Sequence, residues 1–265
     1  MSRVLAIVAA ALVLAPGAAA QSLAQRVARA PDGTVRLTYA ARAGVCGNGA
    51  GNVSFDCAGG SCGRHRVSSS ADWEDDDGCP CDSAPVRLVL LVTGGKVQRI
   101  HAYVGGRWRP SAGATDLGVV SAPEAAHWLV ALARSGDAPA AHDAVFPATL
   151  ADSVTVWPDL VSVARDGAAP RRSREQAVFW LGQAAGEAAV KDLAAMVSDD
   201  ALDREVREHA VFALSQQPRE VGVPALIQIA RTNRDPEVRR KAFFWLGQTG
   251  DPRAVALFEE VLTRP

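Results

Sequence analysis

The sequence predicts an α+β protein: a small, disulfide-stapled antiparallel β domain followed by an all-α solenoid of helical hairpins. Three observations carry the prediction. One phrase is said three times, AVFWLGQ at 177–183, AVFALSQ at 210–216 and AFFWLGQ at 242–248, so that the copies lie 33 and 32 residues apart. Self-similarity at such a period marks stacked helical units. All five cysteines, Cys46, Cys57, Cys62, Cys79 and Cys81, fall within 36 residues upstream of the repeats. The segments flanking that window alternate apolar and polar residues, as strands do.

Taken in order, the chain opens on Arg3, an apolar run at 4–14 and small residues at 15–20 before Gln21. These are the parts of a secretory signal peptide. Cleavage is expected after Ala20, with a retained N-terminal anchor as the alternative, and no cysteine directly follows to direct lipoprotein processing. The run is short for a membrane span, so the mature protein is expected in the periplasm or outside the cell with no stable membrane insertion. A content of 48% hydrophobic residues and a net charge of −1 describe an ordinary globular chain and give no sign of a nucleic-acid or anionic-membrane partner.

Residues 22–110 read as the Cys-rich β domain. Strands are expected at 34–39, 86–92 and 97–104, the last two joined by a Thr93-Gly94-Gly95-Lys96 turn. Tyr103 and Trp108 suit cross-strand packing better than a binding face. In an oxidising compartment clustered cysteines mean disulfides before metal. Five cysteines leave one over after two bridges, in any of fifteen arrangements; the expected one joins Cys57 to Cys62 and Cys46 to Cys79 or Cys81. A zinc site is the second reading, with the right ligand number but unusual spacing. A redox thiol is the third, since Cys79-Pro80-Cys81 is not the Cys-x-x-Cys arrangement. The acidic run at 72–77 does not fit a calcium loop, because no Glu stands at its twelfth place. Residues 111–120 have linker chemistry, which makes relative motion of the two parts the default expectation.

The solenoid is expected over 121–265. Ser121 and Glu124 form a capping-box signature for a half repeat at 121–136. A worn repeat at 140–169 keeps the period, with Ala144-Val145-Phe146 standing 33 residues before the first clear copy. There Pro158 can start a second helix, whereas Pro147 must shorten the first. Full repeats follow at 170–202, 203–234 and 235–265. Asp235-Pro236 and Asp251-Pro252 are helix starts; Gly182, Ser215 and Gly247 read as stop signals.

Three ladders run through the repeats. Arg174, Arg207 and Arg239 are expected to bond carboxylates near helix starts, such as Asp203 or Asp235, rather than form a basic stripe. Gln183, Gln216 and Gln248 are placed to satisfy last-turn carbonyls. Phe179, Phe212 and Phe244, with Trp180 and Trp245, are expected in the core, where truncation of Phe212 would cost about 3–5 kcal/mol.

Asp-Pro-Glu-Val-Arg-Arg-Lys-Ala at 235–242, then Leu246-Gly247, Gly250-Asp251-Pro252, Ala254 and Leu257, resemble a HEAT repeat of the short bacterial kind, the kind also found in the phycobilisome-lyase HEAT-like group. The resemblance covers roughly the last 95 residues well and about 50 upstream more weakly. It implies a helical-hairpin solenoid, a fold used by scaffolds, adaptors and a few lyases. No Gly-x-Ser-x-Gly, His-Glu-x-x-His or phosphate loop occurs, and His65, His101, His127, His142 and His209 show no ligand spacing. The expected function is therefore an exported scaffold or adaptor that binds a protein or peptide partner in the cell envelope, with no catalysis, cofactor or metal of its own. A HEAT-like lyase and a redox or metal-responsive sensor built on the cysteines are the alternatives. The expected contact surface is the concave face of the second helices, at Gln228, Arg231 and Glu260.

Overall fold

The computed structural model describes residues 21–49, 53–54, 66–67, 84–108, 113–184 and 187–263. The expected signal peptide, Cys57, Cys62, Cys79, Cys81, His65 and the acidic run lie outside the described residues. The chain begins with α1 (Leu23–Ala28), opened by a capping box in which Ser22 and Gln25 bond reciprocally. Strand β1 (Gly33–Tyr39) pairs antiparallel with β5 (Val86–Thr93), and β5 turns into β6 (Lys96–Val104). The short strands β2 (Cys46–Gly47), β3 (Val53–Ser54) and β4 (Arg66–Val67) form a second sheet.

Period-two patterning decides which face of the main sheet is covered. Val35, Leu37 and Tyr39 of β1 and Val86, Leu88, Leu90 and Val92 of β5 are all fully buried, as alternate residues of a one-sided sheet should be. Two expectations are corrected here. Residues 115–119, part of the expected linker, form β7 (Thr115–Val119), and β7 runs parallel to β1, so the sheet is mixed, with order β6-β5-β1-β7. The reason lies in a long-range pairing: β7 completes the otherwise bare edge of β1, with a register shift beside Arg36 and Gly118 at φ 73°.

The second correction concerns independence of the two parts. Helix α2 (Ala122–Arg134) follows β7 directly and lays Ala125, Ala126 and Leu129 into one continuous core with the sheet residues. Ser121 caps α2 by accepting from the Glu124 N–H, but the Glu124 carboxylate does not return to Ser121. It accepts instead from the Leu23 N–H at 2.8 Å, tying α1 to α2. Past the 3₁₀ turn His142–Ala144, the five-residue α3 (Val145–Thr149) and the residues after it meet the C-terminal end of β1. The fully buried Tyr39 donates its hydroxyl to the Pro147 carbonyl at 2.6 Å, Arg42 donates to Leu150 and Thr149 carbonyls, and Ala41 bridges to Ala151. Burial holds the Tyr39 phenol well above its usual pKa. Sheet and helices are thus joined by packing and hydrogen bonds rather than by a loose tether.

Helix α4 (Trp157–Arg165) starts with Pro158 in its first turn. Three hairpins follow: α5 (Arg171–Ala184) with α6 (Glu187–Val197), α7 (Arg204–Ser215) with α8 (Arg219–Thr232), and α9 (Pro236–Thr249) with α10 (Pro252–Thr263). Asp235 caps α9 by accepting from the Glu237 N–H, and Asp251 starts α10 by accepting from the Arg253 N–H. Gly182 and Gly247 do not stop their helices. Gly182 lies inside α5 where a Cβ would stand 2.9 Å from the Ala213 Cβ, so its smallness permits the close approach of α7. The actual terminator of α9 is Gly250, in the left-handed conformation at φ 61°. No helix among the described residues is long and apolar enough to cross a membrane.

Two predictions follow from this packing. Gly182→Ala should destabilise by about 1–3 kcal/mol through overpacking against Ala213. The equivalent Gly247→Ala, with only Phe258 at 3.9 Å, should be neutral or stabilise by up to about 1 kcal/mol through helix propensity; urea unfolding of both variants reads the sign. The side-chain and backbone hydrogen bonds from Arg253 hold the Asp251 carboxyl at about 2. It is charged in the folded protein down to about pH 2 but in the unfolded chain only above about pH 4. Its contribution is therefore complete above about pH 4 and lost as the pH falls towards 2. Asp251→Asn should flatten that acid limb of a stability-against-pH curve.

Candidate functional site

The repeat period places equivalent residues of α5, α7 and α9 side by side. Repeat alanines Ala177, Ala210 and Ala242 are fully buried. A residue two places on lies about 200° round the helix, on the opposite side. That geometry corrects the expectation of an aromatic core. Trp180 is buried, but Phe179, Phe212 and Trp245 are only half-buried and Phe244 is 54% exposed. The full core cost of truncating Phe212 does not apply to a ring with one side uncovered.

These rings touch in series. Phe146 stacks on Trp180 at 4.7 Å, and Phe179 meets Trp180 edge-on at 5.0 Å. Phe179 and Phe212 lie nearly parallel at 6.2 Å, Phe212 meets Trp245 at 5.0 Å, and Phe244 meets Trp245 edge-on at 5.0 Å. Phe179, Phe212 and Trp245 floor an open groove of about 530 Å³ across the three first helices. Helix α5 adds Arg171, Glu175 and Gln176 to its walls, α7 adds Glu205, Glu208 and His209, and α9 adds Lys241. Arg171 lies 3.8 Å from Glu175 and 3.7 Å from Glu205, and Lys241 lies 3.3 Å from Glu208.

The surface expected on the second helices is differently arranged. Arg231 of α8 and Glu260 of α10 form an ion pair with each other at the surface, so they tie two repeats. Gln228 lines a separate groove of about 420 Å³ between α6 and α8, beside Asp200, Asn233 and Arg234. The structure pairs Arg231 with Glu260, while Gln228, one turn before Arg231 on α8, faces that groove instead.

Of the arginine ladder, Arg174 and Arg207 are each only 8% exposed. Arg174 pairs with Asp203, and Arg207 pairs with Asp235 and with Asp200, at 3.0 and 3.3 Å. In both cases the carboxylate stands at the start of the following repeat, which is the expected structural pairing. Arg239 donates to the Asn233 and Arg234 carbonyls at 2.7 and 3.0 Å. Burial acts to raise the Asp235 pKa. Hydrogen bonds from the Glu237 N–H and Arg204, with the charges of Arg204 and Arg207, outweigh it and leave the carboxyl below its ordinary value.

The glutamine ladder needs correcting. Gln216 and Gln248 are exposed, Gln216 donating only to the neighbouring Ser215 hydroxyl, and the buried Oε1 of Gln183 has no donor. The residue that closes last-turn carbonyls is Gln217, one place on: its buried amide donates to Gly182 at 2.7 Å and Ala213 at 3.2 Å. The repeat alignment hides it, because the matching places hold Ala184 and Thr249.

In the sheet region, the Arg87 guanidinium sits 5.1 Å from Trp108 and 5.8 Å from Tyr103, and Arg36 lies 5.3 Å from the same Trp108. Arg87 is 7% exposed and donates to the Gly49 and Gly105 carbonyls. Desolvation lowers its pKa, against the pull of Tyr103. Both aromatics therefore brace a buried cation. Among the described residues, no three His, Cys, Asp or Glu side chains group as metal ligands. Gln217→Ala should cost about 1–3 kcal/mol by removing the buried amide's bonds to the Gly182 and Ala213 carbonyls, of which Ala213 keeps the Gln216 N–H, whereas Gln216→Ala should change stability by less than about 0.5 kcal/mol, both read by denaturant unfolding.

Residues 200–265, covering the hairpins α7–α8 and α9–α10, match the family model described as HEAT repeats. No curated protein matches the chain. The C-terminal region accordingly has HEAT-repeat character, and stacked repeats of this kind generally mediate protein binding.

Proposed function

We propose that this protein is an exported scaffold that holds a protein or peptide partner in the cell envelope and performs no chemistry of its own. The observation that carries the reading is the line of half-exposed rings from Phe179 through Phe212 and Trp245 to Phe244. Aromatic side chains are the residues most enriched at interface centres, and a line of them running across three repeats is a surface of the size a peptide segment covers. The proposed contact surface is therefore the row of first helices, with Arg231 and Glu260 kept as a tie between repeats.

Export rests on residues 1–20, read as a cleaved signal peptide. In the same compartment the cysteines are proposed to be bridged. Support comes from the clustering of all five cysteines within 36 residues, Cys46 among them being 2% exposed in β2. Intact mass of protein purified from the native host should begin at Gln21. Thiol labelling without reductant should find one free cysteine, while four or five would remove the disulfide reading.

The scaffold reading is tested by photo-crosslinking in the native host. Benzoylphenylalanine placed at Phe244 or His209 should capture a discrete partner, and Phe212→Ala should abolish the capture. Crosslinks that form only from Gln228 or Arg231 would return the contact surface to the second helices.

A further inference from the structure

We infer that the groove over Phe179, Phe212 and Trp245 is selective for a basic, extended peptide segment, whose Arg or Lys side chains lie on the rings and between the carboxylates of α7. The inference rests on the reading of this groove as the partner site and adds the partner's chemistry.

Charge and ring chemistry agree. The walls carry three carboxylates, Glu175, Glu205 and Glu208, against two cations, Arg171 and Lys241. The cations stand on the outer helices α5 and α9. The middle helix α7 presents Glu205 and Glu208 beside Phe212 and contributes no Arg or Lys, its only basic group there being the His209 imidazole. Arg171 lies 3.7 Å or more from both of its carboxylates, beyond close hydrogen-bond reach, and the side chain of Glu205 is 55% exposed. The Lys241 ammonium is on a flexible, 41% exposed stem and can swing away from Glu208. The ring faces carry negative electrostatic potential and attract a cation held above them. An incoming guanidinium thus meets rings and carboxylates of the same sign preference. An incoming carboxylate meets Glu205 and Glu208 first.

Size sets the length of the segment. Three first helices at the usual 8–10 Å spacing span roughly 20 Å, which about six residues of extended chain cover. Side chains of such a chain alternate, so every second one faces the groove.

The test uses the full chain and three fluorescein-labelled peptides of about six residues, with Arg, citrulline or Glu at alternate positions, in fluorescence anisotropy. The Arg peptide should bind at least about tenfold more tightly than its uncharged citrulline isostere, weaken as salt is raised, and not be matched by the Glu peptide. The double variant Glu205→Gln/Glu208→Gln, which alters only wall carboxylates, should lose that preference. Phe212→Ala should weaken binding of every peptide, and Phe212→Leu serves if the alanine variant melts early. Equal binding of the citrulline or Glu peptide, lost with Phe212→Ala, would overturn the charge selectivity and leave the groove as the partner site. Binding unaffected by either Phe212 variant would overturn the groove reading as well. Absence of binding by the Arg peptide up to millimolar concentration would overturn this inference alone, since the crosslinking test above reads the partner independently.

Discussion

Arg207 reaches out of one repeat and ends on the carboxylate that begins the next. Asp235 accepts from the Glu237 N–H with one oxygen and from Arg204 and Arg207 with the other, so a single side chain both starts α9 and fixes its distance from α7. Arg174 and Asp203 make the same tie one repeat earlier. Such pairs do not drive stacking, because desolvation offsets much of their attraction. The drive comes from burying Val178 and Leu181 of α5 with Val206, Ala210 and Val211 of α7 in one core. What the ion pairs supply is register. The rings of the groove touch in series because each first helix is held beside the last, Phe179 and Phe212 at matching places and Trp245 one place on from the match.

How much of this was legible depends on how local each determinant is. The hairpins could be read because Arg, Ala and Leu recur at a fixed period, and the Asp-Pro helix starts because a cap needs only neighbours in sequence. A period, however, says which residues share a face without saying which face is outside; hence Phe179, Phe212 and Phe244 were expected in the core. Gly182 reads as a stop until Ala213 is seen against it. Gln217 has no counterpart in the other repeats, so no alignment of the copies can single it out. Glu124 looks like half of a capping box, yet its partner, the Leu23 N–H, lies 101 residues away. Strand β7 was hidden for the same reason, since its partner β1 is distant in sequence and its own alternation is broken by Gly118. Four of the five cysteines lie outside the described residues.

The first repeat is worn because its neighbour is a sheet rather than a helix pair. Pro147 shortens α3 to five residues, and the carbonyls of the shortened helix then face β1 and its continuation. They accept from the Tyr39 hydroxyl and the Arg42 side chain, and Leu150 just beyond accepts from the Arg42 N–H. A terminal unit of a solenoid must present something other than a bare stacking face, and here the mixed sheet is that covering. The single core running from Leu23 to Leu257 is the result.

The central place of β1 has a consequence for the integrity of the chain. β1 hydrogen-bonds to β5 on one side and to β7 on the other, and both of those strands come after the cysteine-rich segment. A single cut between Tyr39 and Val86 would sever the backbone, but the N-terminal piece would remain threaded between two strands of the C-terminal piece. It would also stay pinned by Tyr39 at Pro147 and by Leu23 at Glu124. The strand order alone makes the molecule a two-fragment complement, in which a nick in the cysteine-rich segment changes the number of backbone chains without parting them.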